Sequence, residues 1–280
     1  MDRRGLRSAL GVASACALAA ALALAPAAGA YVPPPVNAQF DYQIGGDYPL
    51  PDGVGVVARD WFAGAPAADP VYSICYVNAY QTQADEKGAD RPDEQSNWPK
   101  KLVLTRLGDD PKWGGEYLID ISTASKRGQA VDWIGQMLDG CAEKGFDAVE
   151  YDNLDSWTRF NGTPLADDIP FGKPEALEFA ALLAEQAQLR DLAVAQKNTV
   201  EIKRREARKI GFDFAIAEEC GRYNECNAYR KVYGDNVIAI EYRKADFKKA
   251  CKVVGDDVSV VYRDRQVSKP GSKAYIYDSC

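Results

Sequence analysis

Short apolar runs, rich in β-branched and aromatic residues, alternate with helical segments along most of this chain. Nearly continuous apolar runs of this length are typical of parallel strands that are covered on both faces. The runs are Phe40–Ile44, Val54–Arg59, Val71–Val77, Tyr117–Ile121, Phe146–Tyr151, Leu192–Gln196, Phe212–Ala217, Val237–Ile240 and Val258–Tyr262. We interpret the first eight as parallel strands of one sheet and the ninth as an extra C-terminal strand.

The segments between these runs contain helix signals. Gln129–Lys144 places apolar residues at helical spacing and stops at Gly145, and Pro174 suits the first turn of another helix. Eight such units in about 250 residues are typical of a (β/α)8 barrel. The competing doubly wound sheet normally has a Gly-rich phosphate loop after its first strand, which Gly45-Gly46 does not provide. We therefore predict a single-domain α/β fold, a (β/α)8 TIM barrel, over residues 40–280.

The first thirty residues have the pattern of a secretory signal peptide. Three arginines precede the apolar run Leu10–Ala25, and Ala28-Gly29-Ala30 offers small residues for cleavage. An apolar run of about sixteen residues is short for a membrane span. A lipoprotein reading through Cys16 is weaker, because the run continues past it. We expect an extracellular protein without membrane association, in which a Pro-rich lead, residues 31–39, precedes the barrel.

The cysteines are expected to form disulfides. Seven are present, and Cys16 would leave with the signal peptide. An even number in an oxidising compartment indicates disulfides, whereas a metal site needs ligands clustered at CxxC-like spacing. The pairs that we favour are Cys220 with Cys226, Cys251 with Cys280, and Cys75 with Cys141. The first closes a short loop, the second ties the tail back, and the third follows by elimination.

The chain contains no histidine, and its 34 Lys and Arg against 41 Asp and Glu give a net charge of −7. Without imidazole there is no Ser-His-Asp or Cys-His site and no histidine-ligated metal. Acid–base chemistry therefore falls to carboxylates, Lys, Tyr or Cys. The acidic balance argues against nucleic acid and suits a cationic ligand. We expect a monomer that needs no metal or cofactor.

Polar residues end most of the predicted strands. In a (β/α)8 barrel the C-terminal strand ends converge on one face, where active sites are built. The residues are Asp60, Tyr76, Asn78, Asp120, Glu150, Asp152, Asp155, Lys197, Asn198, Glu218, Glu241 and Tyr242. A single Asp can cap the next helix and a single Lys can serve an ion pair. Recurrence at consecutive strand ends favours a pocket for a polyhydroxylated substrate.

Two carboxylates facing each other across a barrel mouth are the equipment of a glycosidase. One must be protonated to assist departure of the leaving oxygen, and the other must be ionised to attack the anomeric carbon or activate water. Neighbouring negative charge raises the pKa of the carboxyl that stays protonated. Adjacent strand residues face opposite ways, so only one of Glu218 and Glu219 can point into the mouth.

Seven short motifs occur along the chain. The two longest are Gly145–Asp155 (GFDAVEYDNLD) and Gly115–Ile121 (GEYLIDI). The remaining five are Ile74-Cys75-Tyr76, Lys197-Asn198, Glu218-Glu219-Cys220, Glu225-Cys226 and Glu241-Tyr242. In the same order they resemble motifs of glycoside hydrolase family 114, whose two longest read GFDGVExDNxD and GExWLDI, and the match runs from about Phe40 to Tyr242.

The resemblance implies a (β/α)8 barrel that hydrolyses α-1,4-linked galactosamine-containing polysaccharide, as in galactosaminogalactan. By motif, Asp152 and Glu218 match the catalytic pair, with Glu218 as general acid/base and Asp152 as nucleophile or base. The positions expected to contact substrate are Asp60, Tyr76, Asp120, Asp155, Lys197, Asn198, Glu241 and Tyr242.

An acidic cleft has a physical rationale for such a substrate, because deacetylated galactosamine carries an ammonium group. We expect Asp60, Asp120 and Glu241 to pair with it, so that salt and N-acetylation weaken binding. Two alternatives remain open from the sequence: a barrel that binds polysaccharide without cleaving it, and a glycosidase acting on another α-linked exopolysaccharide.

Overall fold

The computed structural model describes residues 31–280 except 63–65, 67, 69 and 85–93. The predicted signal peptide lies outside the described residues. Eight parallel strands follow one another in chain order around a nearly closed barrel, and a ninth pairs antiparallel with the eighth. They are β1 (Phe40–Gln43), β2 (Val56–Asp60), β3 (Tyr72–Asn78), β4 (Ala148–Asp152), β5 (Ala193–Lys197), β6 (Phe214–Glu218), β7 (Val237–Glu241), β8 (Ser259–Arg263) and β9 (Tyr277–Ser279). The predicted barrel is confirmed.

Helices cover the outside of the barrel between β3 and β8. They are α1 (Glu94–Asn97), α2 (Ala124–Lys144), α3 (Lys173–Gln188), α4 (Arg204–Ile210), α5 (Cys220–Tyr223), α6 (Cys226–Tyr233) and α7 (Lys244–Val254). Thr123 caps α2 by accepting from the Lys126 amide, and Gly145 ends it in the left-handed conformation that glycine favours. Among the described residues, the helix α2 is long but neither it nor any other is apolar enough to cross a membrane.

One predicted strand is wrong. Tyr117–Ile121 makes only two isolated antiparallel bridges, Gln81 with Leu118 and Val103 with Ile119, inside the long segment between β3 and α2. Its apolar side chains are buried because that segment folds over the outer core, so the run has the composition of a strand without a place in the barrel. The run Val258–Tyr262, assigned as the extra strand, instead supplies β8, and β9 is the extra strand.

Strand alternation decides which side chains point into the barrel. The interior is filled by buried apolar residues at every second position, including Tyr42, Ile74, Ala148, Phe214, Ile216, Ile240 and Val261. Continuing the same parity to the C-terminal ends turns Asp152, Lys197 and Glu218 inward. The register places Asn78 beside Asp152 and Tyr76 beside Glu150. The sequence thus brings these polar side chains to one mouth.

A buried ion pair joins the first and last barrel strands. Arg263 at the end of β8 lies 2.7 Å from Asp41 of β1, both side chains are fully buried, and the same guanidinium donates to the Tyr42 carbonyl. Arg263 also donates to the carbonyls of Ser268 and Ile276. These contacts satisfy a charge that would otherwise be costly to bury, and they fix the seam between β1 and β8.

The three predicted disulfide pairs are present. Cys75–Cys141 ties β3 to α2, Cys220–Cys226 joins α5 to α6, and Cys251–Cys280 fastens the C-terminal residue to α7. The last pair holds β9 beside β8.

Candidate active site

The Lys197 ammonium lies at the centre of three carboxylates at the barrel mouth. Its Nζ is 2.6 Å from Glu150 Oε1, 3.1 Å from Asp152 Oδ1 and 3.6 Å from Glu218 Oε2. The carboxylates come from β4 and β6, the two strands that flank β5. One buried cation is thus shared by three acidic groups, a charge balance that leaves the cluster net negative when all three are ionised.

The cluster keeps Lys197 charged. Burial alone would lower the pKa of Lys197, but the three neighbouring carboxylates outweigh it and raise this pKa well above its usual value. The rings of Tyr42 and Tyr76 face the ammonium, with their centroids 5.5 Å and 5.8 Å from Nζ, which adds a cation–π attraction.

Asp152 is held as an ionised carboxylate. Tyr76 donates its hydroxyl proton to Oδ2 at 2.7 Å, and the Asn153 amide donates to Oδ1 at 2.7 Å. Burial alone would raise the pKa of Asp152, but Lys197, the Tyr76 hydroxyl and nearby Arg159 together lower it below its usual value. An ionised carboxylate with both oxygens oriented is suited to attack or to electrostatic stabilisation.

Glu218 has a partner on each oxygen. The Tyr242 hydroxyl donates to Oε1, and Asn198 Nδ2 donates to Oε2 at 2.9 Å. Asn198 also accepts from the Glu218 amide at 2.8 Å, so one side chain fixes both backbone and carboxylate. The Glu218 side chain is 26% exposed, against 17% for Asp152. Glu218 is therefore the carboxyl more open to the mouth.

The chain turns sharply straight after each of these three strand ends. Asn153, Asn198 and Glu219 all have positive φ, at 65°, 49° and 56°. Asn tolerates this conformation better than most residues, whereas for Glu it is strained, and such strain concentrates at functional sites. The turn also separates Glu219 from Glu218, because Glu219 faces Arg222 and Arg265 instead of the barrel mouth.

The central cluster also contains Glu150 and Tyr42, to which the sequence analysis assigned no catalytic or substrate-contacting role. Glu150 is fully buried and accepts from the Tyr42 hydroxyl at 2.9 Å. Burial raises the pKa of Glu150 to about 7, although Lys197 opposes the shift. Glu150 precedes Asp152 by two residues, so the period-2 alternation was the signal that places both on the interior face.

The long segment between β3 and α2 adds a further carboxyl. Asn78 at the end of β3 donates to Glu116 Oε2 at 3.1 Å and accepts from Asn153 Nδ2 at 2.9 Å. Burial raises the pKa of Glu116 to about 8, and the charge of Asp152 adds to the effect. Glu116 lies within the GEYLIDI motif, but its position depends on a loop path that periodicity does not predict.

Asp155 lies at the edge of the same mouth. Its Oδ1 is 3.5 Å from Arg159, which also lies 3.6 Å from Asp110 and donates to Asn153. Burial raises the pKa of Asp155 despite Arg159. Arg159 therefore links the loop after β4 to the segment between β3 and α2.

Asp60 and Asp120 have partners outside the central cluster. Gln83 donates to Asp60 at 3.2 Å, and Lys126 of α2 lies 2.6 Å from Asp120. Burial alone would raise the pKa of Asp120, but Lys126 and Ser122 lower it. Asp120 is thus paired with a cation of this chain, which does not favour its predicted role in binding a substrate ammonium.

Glu241 points away from the mouth. Ile240 and Tyr242 are the interior residues at this end of β7, so Glu241 faces the helices, where its Oε1 accepts from the Gly221 amide at 2.5 Å. A Cβ on Gly221 would lie 2.8 Å from that oxygen, so glycine is needed for the approach. Burial raises the pKa of Glu241 to about 7. Glu241 therefore lies on the outer face of β7, on the side opposite to Tyr242.

Replacing Glu241 by Ala is expected to lower the free energy of unfolding by about 1–3 kcal/mol, because the buried Gly221 amide loses its acceptor. Thermal unfolding monitored by circular dichroism measures this, with Glu143→Ala on the exposed face of α2 as the matched control. A large loss of activity at unchanged stability would instead return Glu241 to the substrate site.

Cys220, Cys226 and Glu241 are the only group in the described part of the chain whose ligand atoms lie close enough to hold a metal ion. Both sulfur atoms are committed to a disulfide, so they offer no thiolate. The group does not fit a metal centre in this state.

Comparisons with known proteins identify the family and the fold of this chain. A model of the glycoside hydrolase family GH114 matches residues 21–280. The crystal structure of Ega3 from Aspergillus fumigatus, in complex with galactosamine, has a TM-score of 0.70 at 21% sequence identity and covers 90% of this chain and 98% of its own. The glycoside hydrolase domain of PelA from Pseudomonas aeruginosa has a TM-score of 0.53 at 12% identity, covering 84% and 96%. A sequence comparison with curated proteins finds no match.

At these identities the two structures establish a shared barrel fold, and the family model covers nearly the whole sequence. The chain is a glycoside hydrolase that belongs to family GH114.

Proposed function

We propose that this protein is a secreted endo-glycosidase that hydrolyses α-1,4-linked galactosamine-containing polysaccharide, with Asp152 and Glu218 as its two carboxylates. The observation that supports this most is the pair itself, held at the mouth of the barrel around a single buried lysine. Ega3, which shares the fold, was solved with galactosamine bound. Three disulfides suit an extracellular protein.

Asp152 acts as the nucleophile in this proposal. The pKa of Asp152 lies below its usual value, and the Tyr76 hydroxyl and Lys197 ammonium fix its two oxygens. Attack at the anomeric carbon forms a glycosyl–enzyme ester, and the bond to the leaving oxygen breaks. The Lys197 charge keeps Asp152 ionised before attack and stabilises the Asp152 carboxylate when hydrolysis of the ester releases it.

Glu218 acts as the general acid and then as the general base. It first donates a proton to the departing oxygen and afterwards takes one from the water that hydrolyses the ester. Its greater exposure suits a group that must meet both the leaving sugar and water. Tyr242 and Asn198 hold it in place, and burial raises the pKa of Tyr242 so far that its hydroxyl remains a donor.

The separation of the pair favours retention of configuration. Asp152 Oδ1 and Glu218 Oε2 lie 3.1 Å and 3.6 Å from one nitrogen atom, so they are less than about 7 Å apart. Retaining glycosidases place their carboxyl groups about 5–5.5 Å apart, and inverting enzymes about 6.5–9.5 Å. The two oxygens that face Lys197 are thus close enough for the retaining range, which is the outcome that we propose.

Digestion of α-1,4-linked galactosamine polymer, followed by mass spectrometry of the products, tests the proposal. We expect a ladder of galactosamine oligosaccharides from the wild-type protein and none from the Asp152→Asn variant. Binding of the polymer without release of any product would favour a barrel that binds polysaccharide without cleaving it. If the enzyme released products only from a different α-linked exopolysaccharide, that polysaccharide would be its substrate.

A further inference from the structure

The carboxylates around the barrel mouth differ in whether the protein itself neutralises them. Glu150, Asp152 and Glu218 share Lys197, Asp155 faces Arg159, and Asp120 faces Lys126. Glu116 differs from all of them. Within the described part of the chain it makes no ion pair, and its Oε2 accepts from the neutral side chain of Asn78 at 3.1 Å. Glu116 is therefore the mouth carboxyl that is best able to accept a cation from outside.

Glu116 lies on the Asp152 side of the mouth. Asn78, which donates to it, sits beside Asp152 in the strand register and accepts from Asn153, the residue that follows the nucleophile. The charge of Glu116 also acts on Tyr76, the donor to Asp152. A group bound by Glu116 would therefore belong to the sugar unit whose anomeric carbon Asp152 attacks, or to the neighbouring sugar unit.

We propose that Glu116 is the specificity-determining residue that binds the ammonium group of a deacetylated galactosamine unit beside Asp152. This inference rests on the proposed function and assigns the recognition of the amine to one side chain. Asn78 orients the Glu116 carboxylate, and the ammonium supplies the charge that the protein does not. An N-acetylated unit has no charge to offer, so the carboxyl keeps its proton and the charge-assisted contact does not form.

The surroundings of Glu116 make binding sensitive to its protonation. Burial, together with the charges of Asp152 and Asp110, raises the pKa of Glu116 to about 8, although the Asn78 hydrogen bond and the charge of Arg159 oppose the shift. The charge of Glu116 in turn contributes to raising the pKa of Tyr76, after burial and the charges of Asp152 and Tyr42. Below this pKa the free carboxyl holds a proton, and an arriving ammonium favours the ionised form. Binding of the cationic sugar therefore releases a proton, whereas binding of the N-acetylated sugar does not.

Steady-state kinetics of Glu116→Gln on deacetylated and on partly N-acetylated α-1,4-galactosamine oligosaccharides tests this assignment. We expect KM for the deacetylated substrate to rise about 10- to 100-fold, because a charge-assisted contact is lost, while kcat changes little. The preference for deacetylated over N-acetylated substrate should fall by the same factor. Glu116→Asp, which keeps the charge, should recover part of the preference, and Glu143→Gln on the exposed face of α2 is the matched control.

Calorimetry provides a second readout that a merely structural role would not move. We measure the binding of deacetylated oligosaccharide to Glu218→Gln in two buffers of different ionisation enthalpy. The measurement is made at pH 6.5, which lies below the Glu116 pKa of about 8. We expect proton release, and we expect it to vanish when Glu116→Gln is added to Glu218→Gln.

Three results would overturn the inference. An equal loss on both substrates, or a fall in kcat alone, would make Glu116 a positioning residue for Asp152. If the wild type cleaves the polymer and Glu116→Gln has the same KM as the wild type, Glu116 plays no part in recognition and the proposed function stands. A wild type that cleaves no galactosamine polymer would overturn both together.

Discussion

Asp152→Asn is expected to lower kcat/KM on galactosamine polymer by at least about 10³-fold, with the fold intact. The amide has nearly the same shape, so the Tyr76 hydroxyl and the Asn153 amide still surround it, but it has no charge for attack on the anomeric carbon. Glu218→Gln is expected to cost about 10²–10⁴-fold, because proton transfer to the leaving oxygen is lost. Initial rates of reducing-end release measure both effects.

Two matched controls separate chemistry from charge. Asp139→Asn removes a surface ion pair with Arg190 and should leave the rate unchanged. Glu219→Gln changes the neighbour of Glu218 that faces Arg222 and Arg265, and should keep the rate within about an order of magnitude of the wild type. If Glu219→Gln were as damaging as Glu218→Gln, the assignment of the inward carboxyl would be wrong.

Lys197→Met is expected to be the most damaging substitution for the fold and the site together. It leaves Glu150, Asp152 and Glu218 without their common cation, and breaking a buried ion pair in this way costs about 3–5 kcal/mol of unfolding free energy. Activity at neutral pH should fall by at least about 10²-fold, because burial then raises the pKa of Asp152 and protonates the nucleophile.

The pH profile identifies the cause of this loss. Asp152 works as the ionised form, so activity is present above its pKa and is lost as the pH falls through that value. Lys197 lowers the pKa of Asp152 in the wild type, so the acidic limb of kcat/KM should move to higher pH in Lys197→Met. Lys173→Met, which breaks the surface pair with Glu206, should leave the limb in place. An unmoved limb in Lys197→Met would refute the electrostatic role.

Strand periodicity predicted the barrel because both faces of its strands are buried. The same periodicity predicts which residue of each adjacent pair, Glu218 or Glu219 and Glu241 or Tyr242, faces the barrel interior, because adjacent strand residues face opposite ways. Composition alone could not separate Tyr117–Ile121 from a true strand, because a loop segment buried over the outer core needs the same apolar side chains as a strand. The residues that supply strand pairing were not distinguishable from those that supply loop packing.

The centre of the site could be predicted further than its rim. Asp152, Lys197, Asn198 and Glu218 come from strand ends, whose convergence follows from the barrel itself. Glu116 and Arg159 come from irregular segments, and their positions depend on hydrogen bonds such as those of Asn78 and Asn153. No local pattern specifies such contacts.

The most direct measurement is to trap the glycosyl–enzyme intermediate. An α-galactosaminyl fluoride needs no acid for departure of fluoride, and the Glu218→Gln variant lacks the base that would activate water, so the ester should accumulate. We expect peptide mass spectrometry to find one aminosugar added to the peptide that contains Asp152. A label on another carboxylate, or a product of inverted configuration without any label, would contradict the account.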